Sequence, residues 1–260
     1  MPGDASTGTF LQGLERGLAV IRAFSSETPS LTLSEVARDV SITPATARRI
    51  LLTLEELGYV RSDGRRFSLT PRVLALGWAY LSSLDLGDIA GPFMEELSAK
   101  TRESCSVATL DLPDIVYVAR VPTSRIMTVA LGVGARLPAY ATSMGRVLLA
   151  GLPEDELTAY LGSLDAEPLT QHTVTSIDGL RGVIARAASD GYALVDQELE
   201  LGLRSIAVPI LDARGRPVAA LNVSAHAARS TRASLRSEVL GPLRECADHI
   251  STALRRRGRI

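Results

Sequence analysis

Residues 31–69 constrain the fold of this chain more than any other stretch. Thr32 and Glu35 have the three-residue spacing of a capping box, so we expect a helix to begin directly after Thr32. Thr43 is followed by Pro44, and this order is typical of a helix start because proline is tolerated in the first helical turn. The stretch therefore predicts two helices separated by a tight turn.

A hairpin is predicted after the second helix. Gly58 is suited to end that helix, because glycine accepts the left-handed backbone conformation found at helix C-termini. Asp63-Gly64 is a strong hairpin signal, and it lies between short strands predicted over 59–61 and 66–69. Two helices and a hairpin in this order predict a winged helix-turn-helix, which is a nucleic-acid-binding module.

The positive charge of the N-terminal region is concentrated in the predicted second helix and wing. Residues 1–70 contain eight arginines and eight acidic residues, and the whole chain has a net charge of -1. Five of those arginines lie in the helix and the wing: Arg48, Arg49, Arg61, Arg65 and Arg66. Clustered positive charge indicates nucleic-acid binding, and we prefer it to the alternative of a solvated helix face beside a basic turn. A chain that is locally basic but neutral overall favours a regulator of DNA over a packaging protein.

The predicted second helix has an outward face that can enter the major groove. Burial of Ala47, Ile50 and Leu54 turns the other side chains of its first two turns outward. We expect Thr46 and Arg49 to contact base edges or nearby phosphates, and the wing arginines to bind the backbone or the minor groove. The predicted DNA-contacting residues are Thr43, Ala45, Thr46, Arg48, Arg49, Arg61, Arg65 and Arg66.

Length and composition predict two globular domains. The 260 residues exceed a single domain of about 150 residues, and a hydrophobic content of 46% is ample for ordinary cores. No run approaches about 18 uninterrupted apolar residues, so we expect no transmembrane helix and no membrane partner. The opening residues, MPGDASTG, lack the basic start and apolar run of a signal peptide, and we therefore expect a cytoplasmic protein.

The apolar pattern predicts further helices and strands on both sides of this module. A first helix is expected from Phe10 to Phe24, with one buried face formed by Leu11, Leu14, Leu18, Ile21 and Phe24. Residues 25–30 are a loop by composition, and Thr70-Pro71 opens a linker helix. Strands are expected over 104–110, 115–121, 127–131, 193–195, 204–211 and 218–224. Helices are expected over 88–101, 143–150, 154–161, 176–190 and 235–256.

These elements predict a mixed α/β chain whose C-terminal part is an α+β domain with one central sheet. The predicted bounds are a flexible tail over 1–9, the winged helix-turn-helix over 10–70, the linker helix over 71–86 and the C-terminal domain over 87–257.

Four sequence runs give the chain a family likeness. They are GLERGLAVIRAF, LEELGYV at the end of the helix-turn-helix, AYATSMGRVLLA and VDQELELGLRSIAVPILD. In this order they resemble the IclR family of transcriptional regulators, over about residues 10 to 254. The last run, followed by GRPVAALNVSAHAAR, is most similar to the subgroup that controls protocatechuate, 4-hydroxybenzoate and β-ketoadipate catabolism.

The resemblance implies a ligand-responsive DNA-binding regulator that is not an enzyme. A winged helix-turn-helix and a linker helix would precede a C-terminal GAF-like domain. That domain would bind an aromatic acid or an organic acid of the β-ketoadipate type. The implied partners are operator DNA, the effector acid and a second copy in a homodimer, which can pair into a homotetramer on DNA. No cofactor is expected.

The resemblance and the residue pattern together nominate an effector pocket. Ser143 and Met144 match the family loop that lies against the effector, where hydroxyl and backbone N–H groups are available at a helix start. Arg136 leads into this loop and is the best candidate to neutralise an acid. Asn222 and Ser224 alternate onto one face of a strand. With them, the positions that match pocket residues on the late strands are Leu203, Ser205, Asn222 and Ser224.

Each of these candidates has an alternative interpretation. The three polar residues of the late strands, Ser205, Asn222 and Ser224, could form a buried polar network or an edge that faces water. Arg136 could belong to a structural salt bridge instead of a pocket. The acidic stretch 196–200 is a poor anion site, and we expect gating or solvation there.

Cys105 leaves a second class of function open, a GAF-like redox sensor or thiol enzyme. Nucleophilic catalysis requires a thiol beside a base, and no local motif places one there, so no catalytic residue is predicted. Cys246 and His249 are spaced to share a metal ion on the closing helix. Two ligands do not make a site, and no metal site is predicted.

Overall fold

The computed structural model contains two compact units, over residues 1–80 and 81–260. The described residues are 10–25, 27–77, 86–123 and 132–256. The predicted tail, the strand predicted over 127–131 and residues 78–85 of the predicted linker helix lie outside them. Where the linker begins, the Thr70 hydroxyl caps a 3-10 turn at Pro71–Val73.

The first unit is a winged helix-turn-helix with a three-stranded sheet. Its elements are α1 (Gln12–Arg22), β1 (Ser30–Thr32), α2 (Leu33–Asp39), α3 (Pro44–Glu56), β2 (Val60–Ser62) and β3 (Arg66–Leu69). The strands are antiparallel in the order β1-β3-β2. The prediction of a loop over 25–30 and a two-stranded wing missed β1, because three residues are too few to produce a strand pattern.

Local signals place the helices of this unit as predicted. The Thr32 N–H donates to the Glu35 carboxylate (2.7 Å), and the Glu35 N–H donates to Thr32 Oγ1 (3.3 Å), which completes the capping box. Thr43 Oγ1 accepts the Thr46 N–H (3.2 Å) at the start of α3. Gly58 follows α3 with a φ of 78°, the left-handed conformation expected at a helix end.

The predicted burial of one apolar face of α1 is wrong for the single chain. Leu14 and Leu18 are 62% and 48% exposed, whereas Val20 and Phe24 turn into the core of the unit. Leu57, which follows α3, is also half exposed. The periodicity identified an apolar face, but no described part of this chain covers it.

The second unit is an α+β domain built on one antiparallel sheet, as predicted. Its helices are α4 (Leu86–Thr101), α5 (Ser143–Leu149), α6 (Glu154–Ser163), α7 (Ile177–Asp190) and α8 (Leu240–Arg256). Its strands are β4 (Ser104–Asp111), β5 (Asp114–Val121), β6 (Arg136–Pro138), β7 (Ala193–Asp196), β8 (Leu203–Leu211) and β9 (Pro217–His226). The strand order is β6-β5-β4-β9-β8-β7. The short edge strand β6 was not predicted.

Different helices cover the two faces of this sheet. Helices α4 and α8 pack on one face over large aliphatic side chains such as Leu221. Helices α5 and α7 cover the other face, where the central strands contribute three small residues, Ala108, Ala207 and Ala220. A small-residue face allows a helix to approach closely and leaves space above the sheet.

The close approach of α5 depends on a glycine. A Cβ atom on Gly145 would lie 2.1 Å from the carbonyl oxygen of Ala139, which belongs to the 3-10 turn Ala139–Ala141 before α5. That separation is impossible for non-bonded atoms, so residue 145 must lack a side chain.

None of the helices in the described part of the chain has the length and apolar character needed to cross a bilayer.

Candidate functional site

The outward face of α3 carries most of the helix residues predicted to contact DNA. Ala45, Arg48 and Arg49 are exposed in its first two turns, above the buried Ala47 and Leu51. Exposed arginines at this position of a helix-turn-helix can reach both phosphates and base edges.

Thr43 and Thr46 have a local structural role at the start of this face. Thr43 is exposed, whereas Thr46 is half-buried, and their hydroxyl oxygens lie 2.9 Å apart. Thr46 lies on the side of α3 that faces α1. The helix cap thus fixes both side chains at the edge of the predicted contact surface.

The three wing arginines differ in what holds them. Arg61 and Arg65 are exposed, and Arg61 Nε donates to the Ser68 hydroxyl (3.1 Å) on the neighbouring strand. Arg66 donates to the Ser30 carbonyl (2.7 Å) and the Ser30 hydroxyl (3.0 Å), and it lies 3.5 Å from the Glu35 carboxylate. Arg66 therefore fastens β3 to β1 and the start of α2, and it offers less to DNA than its two neighbours.

Asp63 shapes the tip of the wing. Its carboxylate accepts the backbone N–H groups of Arg66 and Arg65 at 2.7 and 2.9 Å. These hydrogen bonds lower the pKa of the Asp63 carboxyl below its ordinary value. The turn that presents Arg65 is thereby fixed while the carboxylate is charged.

In the second unit, six of the seven predicted effector residues line one cavity between the sheet and the start of α5. The cavity has a volume of about 20 Å³. The predicted residues that line it are Ser143, Met144, Leu203, Ser205, Asn222 and Ser224. The lining residues that the prediction did not include are Tyr117, Ala141, Thr142, Val195 and Leu199.

The polar side chains of this cavity form two hydrogen-bonded pairs. Ser143 Oγ donates to Ser205 Oγ (2.9 Å), which joins α5 to β8. Asn222 Nδ2 donates to Ser224 Oγ (3.1 Å) along β9, and Ser224 lies opposite Ser205 in the sheet. Within the described residues, the buried Asn222 Oδ1 has no hydrogen-bond partner. The two pairs support the predicted polar network and leave one acceptor unused.

Tyr117 is a cavity residue that sequence reasoning missed. It lies on β5 and is paired with Ala108 on β4. Both side chains lie on the face of the sheet that α5 covers. Burial raises the pKa of the Tyr117 hydroxyl to about 12, so the phenol is neutral near pH 7. The alternation of side chains along β5, together with the small residue Ala108 on β4, was the signal that could have identified Tyr117.

Arg136 does not line the cavity. Its guanidinium donates to Asp111 Oδ2 (2.6 Å), Asp114 Oδ2 (3.1 Å) and the Asp111 carbonyl (3.0 Å) at the outer edge of the sheet. Its side chain is 45% exposed. The structure thus supports the salt-bridge interpretation of Arg136 and not the role of neutralising an acid in this pocket.

A buried ion pair that the sequence analysis did not predict lies behind the cavity wall. Arg146 on α5 donates from Nη1 and Nη2 to the two carboxylate oxygens of Glu198, at 2.7 and 2.5 Å. Arg146 Nε donates to the Tyr140 carbonyl (3.0 Å), and the Val174 N–H donates to Glu198 (3.0 Å). The expectation of solvation for the acidic stretch is therefore wrong at Glu198, which is 8% exposed.

Glu198 anchors a segment that forms part of the cavity wall. This segment carries Leu199, which lines the cavity, and it begins and ends with left-handed residues, Gln197 (φ 61°) and Gly202 (φ 83°). The ion pair thus connects α5, which bears Ser143, to the wall that bears Leu199.

Neither cysteine is suited to thiolate chemistry. Cys105 is fully buried, and its Sγ donates to the Met94 carbonyl (3.3 Å). Burial raises the pKa of Cys105 and of Cys246 to about 12. A protonated, inaccessible thiol is a poor nucleophile. Within the described residues, no three His, Cys, Asp or Glu side chains are grouped so that they could hold a metal ion.

Two family models match the chain. The IclR helix-turn-helix domain matches residues 13–64, and the C-terminal domain of the bacterial transcriptional regulator IclR matches residues 78–252. The chain belongs to the IclR family of transcriptional regulators. This family consists of DNA-binding regulators, so the prediction of a regulator that is not an enzyme is confirmed.

Relatives of this IclR-family chain are named as regulators of the Pca regulon and of p-hydroxybenzoate hydroxylase. The Pca regulon regulatory protein of Pseudomonas putida is 47% identical over 232 residues, which cover 89% of this chain and 80% of the relative. The p-hydroxybenzoate hydroxylase transcriptional activator of Acinetobacter baylyi is 36% identical over 252 residues, with 95% and 93% covered. These relatives confirm the predicted likeness to the protocatechuate and 4-hydroxybenzoate subgroup.

Solved structures of other proteins share the fold of this chain. A transcriptional regulator from Rhodococcus sp. RHA1 is 56% identical with a TM-score of 0.84, covering 94% of this chain and 98% of that one. An IclR homologue from Microbacterium hydrocarbonoxydans, complexed with 4-hydroxybenzoate, is 26% identical with a TM-score of 0.82, covering 94% and 99%.

Proposed function

We propose that this IclR-family regulator controls a catabolic operon by binding operator DNA through α3 and the wing. The supporting observation is a set of four exposed arginines, Arg48, Arg49, Arg61 and Arg65. Guanidinium groups bind phosphates bidentately, and those on a recognition helix can also read guanine edges. Arg66 has a mainly structural role because Ser30 and Glu35 engage it.

The effector in this proposal is an aromatic acid or an acid of the β-ketoadipate type, bound in the cavity beneath α5. The supporting observation is that six residues nominated by family resemblance line this one cavity. The relatives named for pca and p-hydroxybenzoate regulation, and the neighbour complexed with 4-hydroxybenzoate, agree with this class of ligand.

Effector binding in this cavity requires its walls to separate. A volume of about 20 Å³ holds about one water molecule, and an aromatic acid needs far more. The acid would therefore select conformations with a wider cavity. A conformational preference of this kind couples effector and DNA affinity reciprocally, and the linker helix would transmit it to the DNA-binding unit.

A homodimer is the assembly that we propose, with the option of a tetramer on DNA. The first unit has an apolar groove of about 510 Å³ between α1 and α3, lined in part by Leu14, Leu18, Leu57 and Leu76. Each of these leucines is between 48% and 62% exposed. An apolar patch of this kind marks an interface. Arg49 also lines this groove, so a second copy that covers the leucines and leaves Arg49 accessible would pair two heads for two operator half-sites.

A mobility-shift experiment with operator DNA tests the DNA-binding surface. We expect Arg49→Ala to need about 10- to 100-fold more protein for the same shift, because this is the loss of affinity that one missing bidentate contact causes. Arg186→Ala, an exposed arginine on α7, is the matched control and should bind normally. An unchanged shift for Arg49→Ala would show that α3 is not the recognition helix.

Calorimetry tests the effector class. The panel comprises protocatechuate, 4-hydroxybenzoate, β-ketoadipate and simple keto acids, and Arg49→Ala should bind the effector as the wild type does. Failure of every acid in the panel to bind the wild type would contradict the proposed sensing function.

A further inference from the structure

The cavity beneath α5 contains no described side chain that carries a charge near neutral pH. Arg136 is held by Asp111 and Asp114 outside it, and Arg146 is held by Glu198 behind its wall. A carboxylate that enters this cavity must therefore be bound by neutral hydrogen-bond donors.

The hydroxyl groups of the cavity differ in whether they already have partners. Ser143 pairs with Ser205, Ser224 accepts from Asn222, and Thr142 Oγ1 accepts the N–H of Gly145 in α5. Tyr117 also lines the cavity, and no hydrogen bond joins its hydroxyl to another described residue. Asn222 Oδ1 is buried and has no hydrogen-bond partner in the described part of the chain. Buried polar groups in native proteins are normally hydrogen-bonded, so a bound molecule can satisfy Asn222 Oδ1, and the Tyr117 hydroxyl is available to it as a donor.

We propose that the Tyr117 hydroxyl donates a hydrogen bond to a carboxylate oxygen of the effector, which makes Tyr117 a specificity-determining residue for acids. This assignment rests on the proposed acid-sensing function. A neutral phenol is a good hydrogen-bond donor to an anion. The hydrogen bond that forms is of the stronger, charge-assisted kind. The phenol is neutral at physiological pH, because burial raises the pKa of Tyr117 to about 12.

The backbone around Tyr117 holds this donor in place. Its N–H donates to the Ala135 carbonyl (3.0 Å), and its carbonyl accepts the Gly134 N–H (2.8 Å). On the neighbouring strand its partner in register is Ala108, which leaves space on the α5 face of the sheet. Hydrogen bonds on one side and a small neighbour on the other position the ring and leave room beside it for a ligand.

The test is calorimetry of the full-length chain with Tyr117→Phe, using whichever acid of the panel binds the wild type. The substitution retains the ring and removes only an unpartnered hydroxyl. We expect the acid to bind about 10- to 100-fold more weakly, the loss associated with one hydrogen bond to a charged group. The melting temperature without ligand should be equal to or above that of the wild type.

Two controls separate carboxylate recognition from a general change in the cavity. Tyr140→Phe removes another buried tyrosine hydroxyl, whose partner is the Glu167 carbonyl (2.8 Å) outside the cavity, and it should leave acid affinity unchanged. The methyl ester of the same acid should lose less affinity than the acid itself when Tyr117 becomes phenylalanine. Equal losses for acid and ester, or unchanged acid binding by Tyr117→Phe, would overturn the assignment alone. A wild type that binds no acid would overturn the sensing function itself.

Discussion

Two arginine–carboxylate clusters in the effector domain have similar geometry and opposite surroundings. Arg146 and Glu198 meet through two short hydrogen bonds with side chains that are 3% and 10% exposed. Arg136 meets Asp111 through an equally short contact, but these side chains are 45% and 65% exposed. Each ion of the buried pair has lost its hydration and is stabilised by its partner instead. The exposed pair can return to water at little cost, which makes geometry alone a poor guide to the stability that an ion pair provides.

Among variants that test this difference, Glu198→Ala should cause the largest loss of unfolding free energy. It leaves the Arg146 guanidinium buried without its counter-charge, which costs about 3–5 kcal/mol of unfolding free energy. Chemical denaturation of the variant measures the loss. A loss below about 1 kcal/mol would mean that Arg146 reaches water when its partner is removed. Replacing both residues by leucine should recover much of the stability, since the uncompensated charge is then absent.

Gly145→Ala disturbs the same region without changing any charge. The added methyl would overlap the Ala139 carbonyl, so α5 must shift, and over-packing of this kind costs about 1–3 kcal/mol. Because α5 carries Arg146 and Ser143, we also expect weaker effector binding, measured by calorimetry. Gly182→Ala on α7 is a matched control, since, apart from its chain neighbours and the backbone of its own helix, no described atom lies within 4 Å of the added Cβ. If the Gly145 variant were as stable as the control, α5 would have to tolerate displacement.

Arg136→Ala should cause the smallest loss of unfolding free energy. Exposed ion pairs contribute less than about 1 kcal/mol, and the contribution decreases with added salt. Effector affinity should be unchanged because Arg136 lies outside the cavity lining. A tenfold loss of acid affinity in this variant would restore Arg136 as the cation that neutralises the effector.

The sequence predicted features that are encoded locally. The caps at Thr32 and Thr43, the left-handed Gly58 and the wing turn at Asp63 each depend on residues a few positions apart, and all were confirmed. The family likeness added the pocket residues on α5, β8 and β9 to this local information.

Features that depend on distant partners were missed. Arg146 and Glu198 are 52 positions apart, and nothing in the acidic run around Glu198 distinguishes a buried carboxylate from a solvated one. Tyr117 acquires its position from pairing with Ala108 and from the covering helix α5. The predicted burial of the apolar face of α1 was wrong for a related reason, since periodicity reveals an apolar surface but not the molecule that covers it.

The exposed leucines of α1 also bear on how gene expression would respond to the amount of this regulator. If two copies must meet before either head is competent, operator occupancy at low concentration varies with the square of the monomer concentration. Halving the protein supply would then reduce occupancy about fourfold, by mass action. A stripe of Leu14, Leu18 and their neighbours would thus set the steepness of a genetic dose response.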